Sequence, residues 1–131
     1  MIFGKYIGSM IAISIALVST KGDQPKTMNP CTPSIEPAIT VTVSDAQTKA
    51  PLEATILIKD GQFQEELNLN GVTAAGHIIY GGAFERPGVY TITISKDEYE
   101  TSVIRGVKVD RGECHVMTRN ISVTLKRVNG N

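Results

Sequence analysis

The chain has 131 residues, of which 41% are hydrophobic and only 5% aromatic, with no tryptophan. That is room for one domain and an N-terminal appendage, with a core that must rest on Ile, Val, Leu and the Tyr rings. Thirteen basic residues cancel thirteen acidic ones, and no basic run exists to displace counterions, which excludes non-specific nucleic-acid binding.

The first residues differ in kind from the rest. Lys5 is the one charge before an apolar run, Ile7 to Val18, and polarity returns at Ser19-Thr20-Lys21. A spanning helix needs about twenty apolar residues. The shorter run fits a secretory signal over 1–22, with Thr20 and Gly22 as small residues before a cleavage site. The alternative on the same residues is an uncleaved anchor or a first buried helix. Loss of 1–22 removes Lys5 and Lys21 from the thirteen basic residues, leaving 11 against 13 acidic ones and a net charge of −2. A secreted or periplasmic protein is expected, with no membrane span once the signal is removed. Cys31 and Cys114 are the only cysteines; in an oxidising compartment an even count suggests one disulfide. Cys31 is not read as a lipid acceptor, because Pro30 precedes it and Met28 stands at −3.

Residues 23–37 read as a flexible tether, since Pro30, Pro33 and Pro37 among polar residues preclude regular structure. A domain over 38–127 follows, then a polar tail, 128–131. Ile39, Val41 and Val43 alternate with Thr40, Thr42 and Ser44, the period of a half-buried strand. Asp45 to Pro51 is a turn with its Asp placed for an Asx-type hydrogen bond. A second strand runs through Ala54–Ile58, and Asp60-Gly61 signals a hairpin. A third spans Phe63 to Leu69, with Glu65 intruding on its apolar face, which marks it as a weak or edge strand. Gly71 to Gly76 is a loop of small residues, and His77–Tyr80 is a short fourth strand closed by Gly81-Gly82.

The most legible stretch is Glu85 to Ser95. Pro87 fixes φ and Gly88 offers a positive φ for a tight turn. Tyr90, Ile92 and Ile94 then share one face, against Val89, Thr91 and Thr93 on the other. Tyr99 to Val109 is a sixth strand with a bulge at Gly106. A seventh runs from Cys114 to Leu125, with Ile121, Val123 and Leu125 on one face. Seven short strands at turn spacings of roughly eight to twelve residues, with no helical periodicity, predict an all-β, antiparallel Greek-key sandwich.

Two patterns carry a resemblance. Val43, Asp45, Ala46, Thr48 and Pro51 form Val-x-Asp-Ala-x-Thr-x-x-Pro. Glu85 to Ile94 form Glu-Arg-Pro-Gly-x-Tyr-x-Ile-x-Ile, followed by Tyr99. Over residues 31–127 the chain resembles the carboxypeptidase regulatory-like, transthyretin-like domains. Exported bacterial versions carry a Cys-His-Val like Cys114-His115-Val116, partnered by a Cys before the first strand. The resemblance implies first and last strands that lie parallel side by side, and hence a Cys31–Cys114 bridge. It departs at Lys49 and Glu98, where a turn glycine is usual.

Candidate chemistry is thin. Cys114 and His115, read as neighbours on a strand, point to opposite faces, and no ligand pair has zinc spacing, so no metal site is expected. No Gly-x-Ser-x-Gly elbow marks a nucleophile, and neither His77 nor His115 has the context of a base. The transthyretin-like hydrolases of the urate pathway end in Tyr-Arg-Gly-Ser; this chain ends Val128-Asn129-Gly130-Asn131. Gly81-Gly82 lacks the Lys-Ser/Thr of a phosphate cradle. Asn120-Ile121-Ser122 is a glycosylation sequon inside a predicted strand. Glu85 and Arg86 form a candidate recognition turn, since binding residues concentrate on loops; the competing reading is that they hold the turn. No catalytic residue and no cofactor are assigned. The expected function is an exported, non-enzymatic module with a structural or protein-interaction role. Its partner would be an unidentified protein or a surface glycan. The alternatives are a small-ligand or carbohydrate-binding module and, third, a small hydrolase.

Overall fold

The structure, a computed structural model, describes residues 31–129. The signal, the first part of the tether and the end of the tail lie outside the described residues. Alternation dictates the first strand: β1, Ile39–Asp45, buries every second residue, because successive side chains of a strand point to opposite faces. Seven more strands follow: β2 Thr55–Asp60, β3 Phe63–Glu66, β4 Asn68–Val72, β5 Ile78–Gly82, β6 Gly88–Ser95, β7 Ser102–Val109 and β8 Arg119–Leu125. No helix occurs among the described residues.

The strands form two four-stranded sheets, ordered β4-β5-β1-β8 and β3-β2-β6-β7. Five strand pairs are antiparallel. The sixth, β1 with β8, is parallel from Ile39–Arg119 to Asp45–Leu125. Inward residues of both sheets meet in one cluster. Ile39, Val41, Val43, Val123 and Leu125 come from one sheet; Ile56, Ile58, Tyr90, Ile92, Ile94, Val107 and Val109 come from the other. At the centre of the second sheet, Ile92 opposes Ile58 on β2 and Ile104 on β7. Burying each such side chain contributes about 1.5–3 kcal/mol, so this cluster is what joins the two sheets.

Among the described residues the strand count is eight, not seven. The run expected as one strand from Phe63 to Leu69 breaks at Leu67, which is buried and donates its N–H to the Ile56 carbonyl at 2.8 Å. Before it, β3 pairs with β2; after it, β4 pairs with β5 in the other sheet. One apolar residue thus serves as the pivot for a change of sheet, which the period of two does not register. Gly71 and Val72, expected in a loop, belong to β4. The last strand begins at Arg119, so Cys114 and His115 lie in the loop before it and not on a strand. The turn features hold. Asp45 Oδ1 accepts the N–H groups of Gln47 and Thr48 at 2.8 and 2.9 Å. Gly61 has φ +63 in the β2–β3 hairpin. Gly106 has φ +70, and the β6–β7 register shifts beside it, between Tyr90 and Ile92.

Candidate functional site

The connection from β5 to β6 carries the two candidate recognition residues. Ala83 and Glu85 both have positive φ, +52 and +53, a conformation that costs an L-residue roughly 1–2 kcal/mol. Gly88, expected to supply that conformation, does not have it. Its reason is space: a Cβ there would stand 2.3 Å from Asp60 Oδ2. Gly82 is constrained in the same way by the Leu67 side chain, at 2.6 Å. Glu65, the intruding acid of β3, reaches over to accept the Ala83 N–H at 2.9 Å. That bond links the edge of one sheet to the end of the other, and it accounts for an acid on an apolar face.

Glu85 turns its carboxylate inward. Oε2 accepts the Glu36 N–H at 2.8 Å and His115 Nδ1–H at 2.6 Å, while Oε1 accepts the Val116 N–H at 3.2 Å. The Glu85 N–H in turn bonds the Glu36 carbonyl at 2.9 Å. One side chain therefore ties three chain segments: the approach to β1, the β5–β6 corner and the loop before β8. The Glu36 N–H, followed by the His115 and Val116 donors, holds the Glu85 carboxyl below the usual range against the opposing effect of burial. It is ionised at neutral pH, which is why His115 Nδ1 is the donor.

Arg86 is held as firmly. Its Nη1 donates to Tyr90 Oη at 3.1 Å and to Asp60 Oδ2 at 3.0 Å, and its guanidinium lies 4.0 Å from the centroid of the Phe63 ring. Tyr90 Oη donates to the Arg86 carbonyl at 2.6 Å. The tyrosine bond first, then Asp60, raises the guanidinium's affinity for its proton. Cation–π contact and a carboxylate together satisfy this side chain within the fold.

A second polar knot closes the opposite ends of β1 and β8. Asp45 is buried; its Oδ2 accepts the Tyr99 hydroxyl at 2.6 Å and lies 3.7 Å from Arg127 Nε. Arg127 also covers the Tyr99 ring, 5.0 Å from its centroid. The Tyr99 bond leads the causes that bring the Asp45 pKa down to about 2; the Tyr99 hydroxyl is correspondingly pushed up, first by Asp45 and then by burial.

Neither cysteine is free. Both are disulfide-bonded, and as the chain has two, Cys31 is joined to Cys114. His77 lies in the β4–β5 turn, where its N–H bonds Thr73 Oγ1 at 3.0 Å, while His115 serves the Glu85 knot. No group of three potential metal ligands exists among the described residues. A polar depression of about 550 Å³ lies at one end of the sandwich, lined by residues that include Glu53, Thr55, Tyr80, Ser95, Lys96 and Asp97. Tyr80 is engaged there as acceptor of the Ala54 N–H at 3.1 Å. No helix among the described residues is long and apolar enough to cross a membrane.

Sequence reasoning missed the Glu85–His115–Glu36 knot, whose members are far apart in the chain. It also missed the Arg127 partner of Asp45. The inward Glu65, a charged residue at an apolar position, signalled a different bond, the one to the Ala83 N–H across the sheets; the two missed contacts left no such mark in the sequence. No protein-family model matches the chain, and no curated protein matches it.

Proposed function

We propose that this protein is an exported, non-enzymatic β-sandwich module of the transthyretin-like, carboxypeptidase regulatory-like type, with a structural or protein-interaction role. The observation that carries the reading is how the reactive side chains are used. Glu85, His115, Arg86, Asp45 and Tyr99 are all spent on bonds within the fold. A base or nucleophile needs to meet a substrate; these groups meet backbone and one another. The family reading is supported by the parallel β1–β8 pair, by the Asp45 turn and by a disulfide where the resemblance puts one. Export is supported by the same disulfide, which persists in oxidising compartments.

Within this reading Glu85 and Arg86 hold the corner and are not a recognition tip. Thermal melts of Glu85→Ala and Arg86→Ala beside a cross-linking pull-down from the exporting cell decide it. Both variants should melt earlier and keep every neighbour that wild type captures. Variants that keep their melting temperature and lose a neighbour would reverse the assignment. A His115 variant that folds normally and loses a hydrolytic activity of wild type would overturn the non-enzymatic reading. N-terminal sequencing of the mature protein tests export: an intact Met1 in a cytoplasmic fraction contradicts it. The polar depression beside Tyr80 favours the second reading, a site for a small polar ligand or glycan at one end of the sandwich. Glycan-array binding lost on Lys96→Ala would establish that reading.

A further inference from the structure

The sequence holds no basic run, yet the fold assembles one. Residues 31–129 contain ten Lys and Arg and twelve Asp and Glu. Six of the ten, Arg105, Lys108, Arg111, Arg119, Lys126 and Arg127, fall between 102 and 127, against only Asp110 and Glu113. The rest of the described chain is left with four basic residues and ten acidic ones. Residues 102–127 comprise β7, β8 and the loop between them, and each strand is an outer edge of its own sheet. The two edges run side by side in opposite directions. The Glu100 N–H bonds the Lys126 carbonyl at 2.8 Å, and further along Arg119 Nη1 bonds the Lys108 carbonyl at 2.9 Å. One flank of the sandwich is therefore positive, while the remainder is negative.

The register sharpens this flank into a stripe. Tyr90 and Ile92 are two residues apart on β6, while their partners Val107 and Ile104 are three apart on β7. The extra residue, beside the positive φ of Gly106, carries Arg105 and Lys108 onto the same outward side, where strict alternation would oppose them. Arg111 follows three residues later, so the line from Arg105 to Arg111 is roughly 20 Å long at about 3.3 Å per residue. Arg119 lies beside it on the Lys108 carbonyl, and all four side chains are exposed. Lys108 is paired with Asp110, and Arg127 with Asp45 and Glu98. Arg105, Arg111, Arg119 and Lys126 meet no carboxylate among the described residues. Charges that only guard a sheet edge serve with either sign, so guarding does not account for the separation of the two signs.

We propose that this flank binds a linear, carboxylate-bearing polysaccharide. Guanidinium groups dominate the stripe, and their planar fork matches a carboxylate in a bidentate pair. The charge of the rest of the molecule selects a narrow partner. A broad anionic plane such as a bilayer would also meet the surplus acids, whereas a single polymer chain laid along the edge meets only the stripe. Single-stranded nucleic acid is held largely by aromatic stacking, and no Phe, Tyr or Trp occurs from Ser102 to Asn131. For the same reason the sugar rings are not gripped by their faces, and recognition falls on the charged groups. The inference rests on the interaction role proposed above and names a partner class for it. Its test uses purified protein, so a negative result here leaves the pull-down to decide that role by itself.

Polygalacturonate is the probe, with its methyl ester as the uncharged counterpart of the same backbone. Immobilised polygalacturonate should retain the disulfide-bonded protein at low ionic strength. It should release the protein as the Debye length shortens from about 30 Å at 0.01 M salt to about 10 Å at 0.1 M. The ester should retain none. R105Q/R111Q should raise the dissociation constant about tenfold or more, at an unchanged melting temperature, since neither side chain has an acidic partner in the described fold. K49Q/K59Q removes the same charge from exposed sites outside the stripe and should leave the dissociation constant nearly unchanged. No retention at low salt, equal retention on the ester, an equal loss in K49Q/K59Q, or tighter binding to phosphatidylglycerol vesicles than to polygalacturonate would each overturn the proposal.

Discussion

The two polar knots of this domain look alike and were built from different information. At one, Asp45 is bonded by Gln47 and Thr48, the second and third residues after it, and then by Tyr99. At the other, Glu85 is bonded by Glu36, His115 and Val116, the nearest of them thirty residues away along the chain. The Asp45 knot is anchored by a local turn that forms as soon as the chain folds back on itself. The Glu85 knot exists only once three separate segments have arrived. Local order needs only short-range sequence, whereas the second kind depends on the finished fold.

The largest test of that contrast removes the covalent link next to His115. C31S/C114S opens a closed loop of more than eighty residues, which should lower stability by roughly 4 kcal/mol on a chain-entropy estimate. Beyond the global loss, hydrogen exchange should show the Glu36 and Val116 amides opening before those of Gln47 and Thr48. Simultaneous opening of all four would mean that the two knots are one cooperative unit. Ile92→Ala supplies the complementary case. Ile92 is completely buried between the sheets, so truncation should cost about 2–5 kcal/mol through lost burial and a residual cavity, a large share of a domain's usual stability. Here both knots should weaken together, because the loss falls on the core that joins the two sheets; urea melts followed by both sets of amides check it.

These cases also show where the sequence was legible. β1, β2 and β6 follow from alternation alone, and the Asp45 turn from an Asp two and three residues before the N–H groups it accepts. The change of sheet at Leu67 was not legible, since a strand that crosses from one sheet to another keeps its apolar spacing. Nor was the Glu85 knot, because Glu85 and Arg86 look the same in sequence whether they face solvent or a backbone N–H. Cys114 and His115 read as part of a strand because their run leads without a break signal into β8; the Arg111–Val116 bridge instead folds 112–115 into a local turn, closed by the Gly112 N–H to the His115 carbonyl at 2.8 Å.

Acid and alkali sharpen the comparison further. The Asp45 carboxyl, at about 2 against an ordinary 3.8, contributes stability above its unfolded value that is lost as pH falls from about 4 towards 2. Glu85, also lowered, adds to the same acid limb. The raised Tyr99 hydroxyl works in the opposite sense: its contribution is present below pH 10.0 and is lost as pH rises through and beyond that value. Tyr99→Phe should therefore flatten the alkaline limb and shrink the acid limb without abolishing it, since Glu85 still titrates. Melting temperatures of wild type and variant across pH 2–11 test this. An acid limb that vanishes entirely in Tyr99→Phe would assign it all to the Asp45 knot.

The smallest expected effect has the opposite sign and concerns the flank of the Asp45 knot. Lys49 and Glu98 have φ of +64 and +73, a left-handed conformation that glycine adopts without strain. The domains that the sequence resembles usually have a glycine at both positions, and the backbone here takes the conformation that glycine favours. Glu98 is the cleaner site. Its side chain is 79% exposed, and its one ion pair, to Arg127 at 3.7 Å, is of the surface kind that contributes little. The bond it makes through its backbone carbonyl, accepted from the Val128 N–H at 3.0 Å, survives any substitution. Glu98→Gly removes a strain of roughly 1–2 kcal/mol and loses part of that gain to the greater freedom of glycine in the unfolded chain. The net expectation is a stabilisation of about 0.5–1 kcal/mol, read as a higher urea midpoint with an unchanged slope. Lys49→Gly should gain less, because the Lys49 Nζ bond to the Ala46 carbonyl at 2.9 Å is lost with the side chain. If Glu98→Gly is instead destabilising, the Arg127 contact is holding that guanidinium over Tyr99, and the knot at Asp45 depends on more than its own local turn.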